Sequence, residues 1–263
     1  MRLKSTQRGL LWVLLCLASL AATQGGCDGY PSKYKPSPTF SYRFEGALVK
    51  DLNTDSARIV VTLTRDDSTL SNAEIRFDGD SLAYSADSTY YRATLPADAY
   101  PAGSYDIKIR DSSFFHDTLT TEVADSFAIG TVLPARGEKI PSESVTLTWS
   151  PSLGTNGYIM AVVKCDSLYT QSGYSEYVIP MDTTGTFPNE IFTLPNDEPD
   201  TGLYYLYVYS YVGRPDSALS ANILPVPLPG QLADNISVKD LDGRFGTIVV
   251  AVFDSIKVVV QPP

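Results

Sequence analysis

Of 263 residues, only three are cysteine and one is histidine. With His116 alone, neither a paired-histidine metalloprotease motif nor a multi-histidine zinc site can be built. The cysteines exclude a disulfide framework: Cys16 lies in an N-terminal apolar run, Cys27 follows it, and Cys165 has no third partner. No Cys-x-x-Cys pair, phosphate-cradling glycine loop or Gly-x-Ser-x-Gly elbow occurs. Asp117 follows His116, but neighbours on a strand point to opposite faces and cannot form the base–orienter bond of a triad. Aspartates are so abundant that no single carboxylate pair stands out for glycoside hydrolysis. No catalytic residue and no cofactor is assigned, and a non-enzymatic protein is expected.

Positive charge is also short. Twenty Lys and Arg face 30 Asp and Glu, a formal net charge of −10. Without Arg2, Lys4 and Arg8, which precede the apolar run, 17 basic residues face 30 acidic ones and the charge becomes −13. Such a chain repels phosphate backbones, so nucleic acid is excluded as a partner. Asp78-Gly79-Asp80 and Asp240-Leu241-Asp242-Gly243 place carboxylates two apart in turns. Calcium coordination and ordinary turn chemistry both use that pattern, neither stretch extends to a full twelve-residue calcium loop, and no metal site is assigned.

Beyond the first twenty-odd residues no helical period is sustained. Those residues read as an export signal: a basic start, then the uncharged run Leu10 to Ala22, too short for a comfortable membrane span. Gln24-Gly25-Gly26-Cys27 follows and resembles the bacterial lipoprotein signal, departing from it at Gln24, where that family usually has Leu. The resemblance implies a signal peptide over 1–26, lipid attachment at Cys27, a membrane partner through that anchor and an envelope location. Ordinary cleavage after Ala21 or Ala22, leaving Cys27 a free thiol, is the other reading. The stretch 27–38, with Pro31 and Pro36 and no apolar run, suits a tether.

The remaining chain is rich in Tyr, Val, Thr and Ser and punctuated by Gly and Pro, a β composition. One pattern occurs twice: Gly103-Ser104-Tyr105-Asp106-Ile107-Lys108-Ile109 and Gly202-Leu203-Tyr204-Tyr205-Leu206-Tyr207-Val208. Alternation puts each Tyr and both aliphatics on one face of a strand. The two copies lie roughly a hundred residues apart, about one sandwich domain. A glycine turn followed by a Tyr whose hydroxyl reaches back to the backbone resembles the corner of immunoglobulin-like and fibronectin-like sandwiches. The order Leu147-Thr148-Trp149, Tyr158, Leu194-Pro195, Tyr204 is similar to the fibronectin type III pattern over about residues 134–211. The expected fold is therefore all-β: two tandem antiparallel β-sandwiches after a signal peptide, immunoglobulin-like over 39–130 and fibronectin III-like with a C-terminal insertion over 131–263.

Strands are expected at Ala57–Leu63, Ala73–Phe77, Tyr91–Leu95, Val145–Trp149, Tyr158–Val163, Glu176–Ile179 and Ile191–Leu194, with Gly130–Gly137 as the linker. Pro225, Pro227 and Pro229 mark an extended insertion. Beyond it, 248–253 and 256–260 either complete the second sandwich or form a further small unit. Cys165, just after an apolar run, reads as a small core or near-core residue. On the far side of the second Tyr strand, Tyr205, Tyr207, Tyr209 and Tyr211 form a stripe. It is either an aromatic platform for an envelope protein or a glycan, or a face covered by the insertion or by the first domain. The functional expectation is a lipid-anchored binding, adhesion or spacer protein, with a carbohydrate-binding module using the tyrosine face as the alternative.

Overall fold

The computed structural model describes residues 40–260 except 113–114, 136–138, 141–142, 166–172 and 179–181. The segment expected to be signal and tether, with Cys27, lies outside the described residues. The first half supplies β1 (Tyr42–Asp51), β2 (Ser56–Arg65), β3 (Ser68–Thr69), β4 (Glu74–Phe77), β5 (Asp80–Ser81), β6 (Ala83–Ser85), β7 (Tyr90–Pro96), β8 (Gly103–Asp111) and β9 (Phe115–Val123). The second supplies β10 (Ile129–Leu133), β11 (Lys139–Ile140), β12 (Val145–Trp149), β13 (Gly157–Lys164), β14 (Tyr174–Tyr177), β15 (Thr184–Phe187) and β16 (Gly202–Gly213). After a one-turn helix at Ser217–Ser220 come β17 (Ile236–Val238), β18 (Leu241–Val250) and β19 (Asp254–Val258). The fold is all-β, as the composition implies.

Turn chemistry accounts for part of the acidity. Among the described residues, six of the eight non-glycine positions with positive φ are aspartates: Asp55, Asp66, Asp67, Asp78, Asp197 and Asp240. Aspartate tolerates the left-handed region better than most residues, because its short side chain bonds nearby backbone.

Each half has two layers. In the first, β1, β2, β7 and β6 face the four-stranded sheet β5-β4-β8-β9. Tyr42 on β1 stacks on Phe115 of β9 with ring centroids 4.2 Å apart. In the second, β13 and β16 face the three-stranded sheet β10-β12-β15, and Trp149 meets Tyr158 edge-on at 5.4 Å. The alternation in β12 buries Val145, Leu147 and Trp149, and the apolar run of β13 is buried over Gly157–Val163, as expected of a central strand.

The halves are not separate units, and this corrects the tandem division at 130/131. β1 pairs in parallel with β18 over Tyr42↔Leu241 to Asp51↔Val250, and β18 pairs antiparallel with β16. One twelve-stranded sheet therefore runs through both halves, and one buried cluster extends from Tyr42 to Val258. The cause lies in β18, which is apolar on both faces: Phe245 and Val249 join the main core, while Ile248 and Val250 join a second cluster on the other side. A strand buried on both faces belongs at a sheet's centre. The approach of its neighbour is close: a Cβ at Gly243, where φ is 127°, would run into the carbonyl oxygen of Phe44.

Two smaller expectations also fail. The linker at 130–137 begins inside a strand, since Ile129–Leu133 pairs with β12. Ile191–Leu194 is no strand; Asn189–Phe192 forms a 3₁₀ turn that buries Phe192, in a run bracketed by Pro188 and Pro195 that is too short for a ladder.

Candidate binding faces

The repeated pattern folds as its spacing predicts. Tyr105, Ile107 and Ile109 are buried on β8, and Tyr204, Leu206 and Val208 on β16. The Tyr105 hydroxyl donates to the carbonyl of Pro101, four residues back, at 2.6 Å. The Tyr204 hydroxyl lies 2.8 Å from the carbonyl of Asp200, again four residues back. The second corner is tied further. Lys164 Nζ approaches Asp200 Oδ1 at 2.7 Å, and Asp200 Oδ2 is 2.8 Å from the Tyr204 hydroxyl. Burial opposes the charge on Asp200, but the bonds from Lys164 and Tyr204 outweigh it and hold the carboxyl below its ordinary range.

Tyr205, Tyr207, Tyr209 and Tyr211 do lie on the opposite face of β16, with the second cluster. The open platform is corrected, however: the proline-bearing segment after the short helix lies over the stripe. Leu224, Val226 and Leu228 are buried against it, Tyr209 is 0% exposed and Tyr207 8%. Tyr209 Oη accepts from the backbone N–H of Val226 at 3.1 Å and lies 3.2 Å from its carbonyl oxygen. Ser175 Oγ donates to the carbonyl of Pro227 and Tyr177 Oη to that of Gly230, so β14 fastens the same strap. Alternating prolines cannot extend a ladder, but their rings and neighbours can cap an aromatic face. Burial raises the Tyr207 phenol to about 12 and lifts Tyr209 well above its ordinary value. Tyr205 and Tyr211 remain half-buried at the two ends, Tyr205 against Phe253 at 4.6 Å and Tyr211 against Tyr177 at 5.8 Å. Four stacked sugar rings have no room there.

Cys165 is exposed and not a core residue, its backbone N–H bonded to the carbonyl of Leu203. The carboxylate turns have protein partners: Asp80 accepts from the Tyr100 hydroxyl at 2.8 Å, and Asp242 pairs with Arg43 at 3.2 Å. Among the described residues no cluster of His, Cys, Asp and Glu is placed to hold a metal ion.

Sequence reading singled out His116 but missed its surroundings. It is exposed on β9 and shares a shallow concavity of about 360 Å³ with Arg76, Lys108, Arg110, Glu74 and Thr118 from three adjacent strands. Outward positions of β4, β8 and β9 alternate with core residues, so the signal was present in each strand. Only the pairing register brings these residues together.

No family model and no curated protein matches the chain. Among solved structures, the fibronectin(III)-like modules of Clostridium thermocellum CbhA align with 82% of this chain and 90% of theirs, at 11% identity and a TM-score of 0.28. The FN1–FN3 domains of chicken CNTN1 align over 64% of this chain and 59% of their own length, at 11% identity and a TM-score of 0.28. The Yersinia pseudotuberculosis adhesin InvE aligns over 64% and 55%, at 14% identity and a TM-score of 0.23. Likeness at this level fixes neither a shared arrangement of sheets nor a function; the sandwich character of this chain rests on its own strand pairing and its two tyrosine corners.

Proposed function

We propose that this chain is an exported bacterial lipoprotein, held at the cell envelope through Cys27, and that it serves without catalysis as a rigid spacer or display module. The observation that supports this best is where the tether would enter the fold. It leads into β1, a strand with ten paired positions on β2 and ten on β18. β18 runs parallel to β1, β16 antiparallel to both, and β19 antiparallel to β16 beyond the end of β18, so the chain leaves β19 at the end of the sheet opposite the N-terminus of β1. A pull between these points acts along the strands. Both ladders of β1 are then loaded in shear, where many hydrogen bonds share the force, and not peeled one at a time. A tethered module exposed to mechanical load benefits from that arrangement, because forced unfolding is governed by the unfolding rate.

The test is metabolic labelling with a clickable fatty acid in a lipoprotein-processing bacterium. The full-length precursor is expected to take up label and fractionate with membranes, and Cys27→Ser to lose both. A mature N-terminus at residue 22 or 23, with Cys27 unlabelled, would overturn the anchor.

A further inference from the structure

The outer face of the four-stranded sheet is at odds with the charge of the molecule. In a chain of net charge −10, register places Arg76 directly opposite Lys108, and Arg110 directly opposite His116. All four are exposed. Strands lie about 4.8 Å apart and outward positions about 6.8 Å apart along a strand, so the four groups form a staggered band across three strands, with Lys108 and Arg110 at its centre and Arg76 and His116 at its ends. Like charges set directly across a sheet cost a few tenths to about 1 kcal/mol per pair, so the fold's own stability does not call for Lys108 beside Arg76. Glu74, opposite Arg110, reaches the Arg76 guanidinium at 2.7 Å, which shows an oxygen anion already held at one end of the band. Among the described residues, Lys108 and Arg110 form no ion pair; the Arg110 Nε donates to the carbonyl of Ser112 at 3.3 Å.

The geometry points to a binding site for a phosphate monoester in the concavity where Arg76, Lys108, Arg110 and His116 outnumber the two lining carboxylates, Glu74 and Asp117. A tetrahedral dianion offers three terminal oxygens and can meet both guanidinium forks and the ammonium together, where a single carboxylate offers two oxygens. The surroundings select for something compact. Gly79, at the rim, sits between Asp78 and Asp80, and Asp106 is the next outward residue on β8, so a long polyanion would run off the patch onto acidic surface. No Phe, Tyr or Trp ring lines the concavity as a broad platform for a run of stacked bases, and its one aliphatic, Ile109, points into the core and cannot enter a bilayer. The ligand is therefore a soluble phosphorylated molecule, not a nucleic acid or a membrane surface. This inference stands whether or not Cys27 is acylated.

The full-length chain in neutral detergent would be titrated with inorganic phosphate and with glucose 6-phosphate at constant ionic strength, read by calorimetry and phosphorus NMR line broadening. Saturable binding is expected, weakened at least fivefold by Lys108→Gln and by Arg110→Gln, unchanged by Arg214→Gln, which follows β16 and lies outside the concavity, and strengthened by Glu74→Gln because the competing carboxylate is removed. A linear response, an equal loss in Arg214→Gln, or no gain in Glu74→Gln overturns the site. So does binding to phosphatidic acid vesicles without binding to either soluble probe.

Discussion

Tyr209 and Val226 are joined twice: the phenol oxygen accepts from the backbone N–H at 3.1 Å and lies 3.2 Å from the carbonyl. Both residues are 0% exposed, so no water replaces a lost bond. Tyr209→Phe removes one oxygen and leaves two buried backbone groups unpaired, a loss of about 1–3 kcal/mol. The expected result is a lower urea midpoint with an unchanged slope and faster proteolysis within 221–231. Wild-type stability and cleavage would show that the strap is not held by this residue.

The two corners offer a paired comparison. Tyr105→Phe and Tyr204→Phe each remove a hydroxyl bonded four residues back. Each is expected to cost about 1 kcal/mol. Tyr204→Phe should cost more than Tyr105→Phe, because it also takes a partner from Asp200. The two sites share no side-chain partner, so the double variant should show the sum within about 0.5 kcal/mol, measured by equilibrium denaturation.

A sheet running through both halves predicts joint unfolding. Trp149 reports on the second half only, whereas far-UV circular dichroism reports on all strands. The two probes should give coincident urea transitions. Separate midpoints would mean that the β1–β18 ladder does not couple the halves.

Alkaline pH should act through the covered tyrosines. Burial raises the phenols of Tyr177 and Tyr207 to about 12 from an ordinary value of 10.0. A group that holds its proton more tightly in the folded state contributes stability that is complete below the unfolded value and is lost as pH rises through the folded one. Stability should therefore fall between about pH 10 and pH 12, with phenolate absorbance showing a late fraction of tyrosines. Tyr207→Phe should flatten part of that decline.

What was legible in the sequence is what repeats locally. Alternation placed Tyr105 and Tyr204 on buried faces and Tyr205 to Tyr211 on the reverse side of β16, because a two-residue period needs only the strand itself. Whether that reverse side was open could not be read, since the strap's prolines carry no pairing signal and its anchor at Val226 is a backbone contact. The partner of β1 was equally hidden. Arg43, Glu45, Gly46 and Lys50 blur its alternation, and nothing in Tyr42–Asp51 names a strand at Leu241–Val250. The basic band joins Arg76, Lys108, Arg110 and His116 from three strands, and each looks like a solvated side chain until the register is known.

The parallel ladder between β1 and β18 also sets a timetable. Arg43 contacts Asp242 across 199 positions of chain. At synthesis rates of roughly 5–20 residues per second, the first strand waits on the order of ten to forty seconds for its neighbour to be made. Until then one edge of β1 stays bare and the central sheet cannot close, so the pairing that joins the two halves waits for Leu241–Val250.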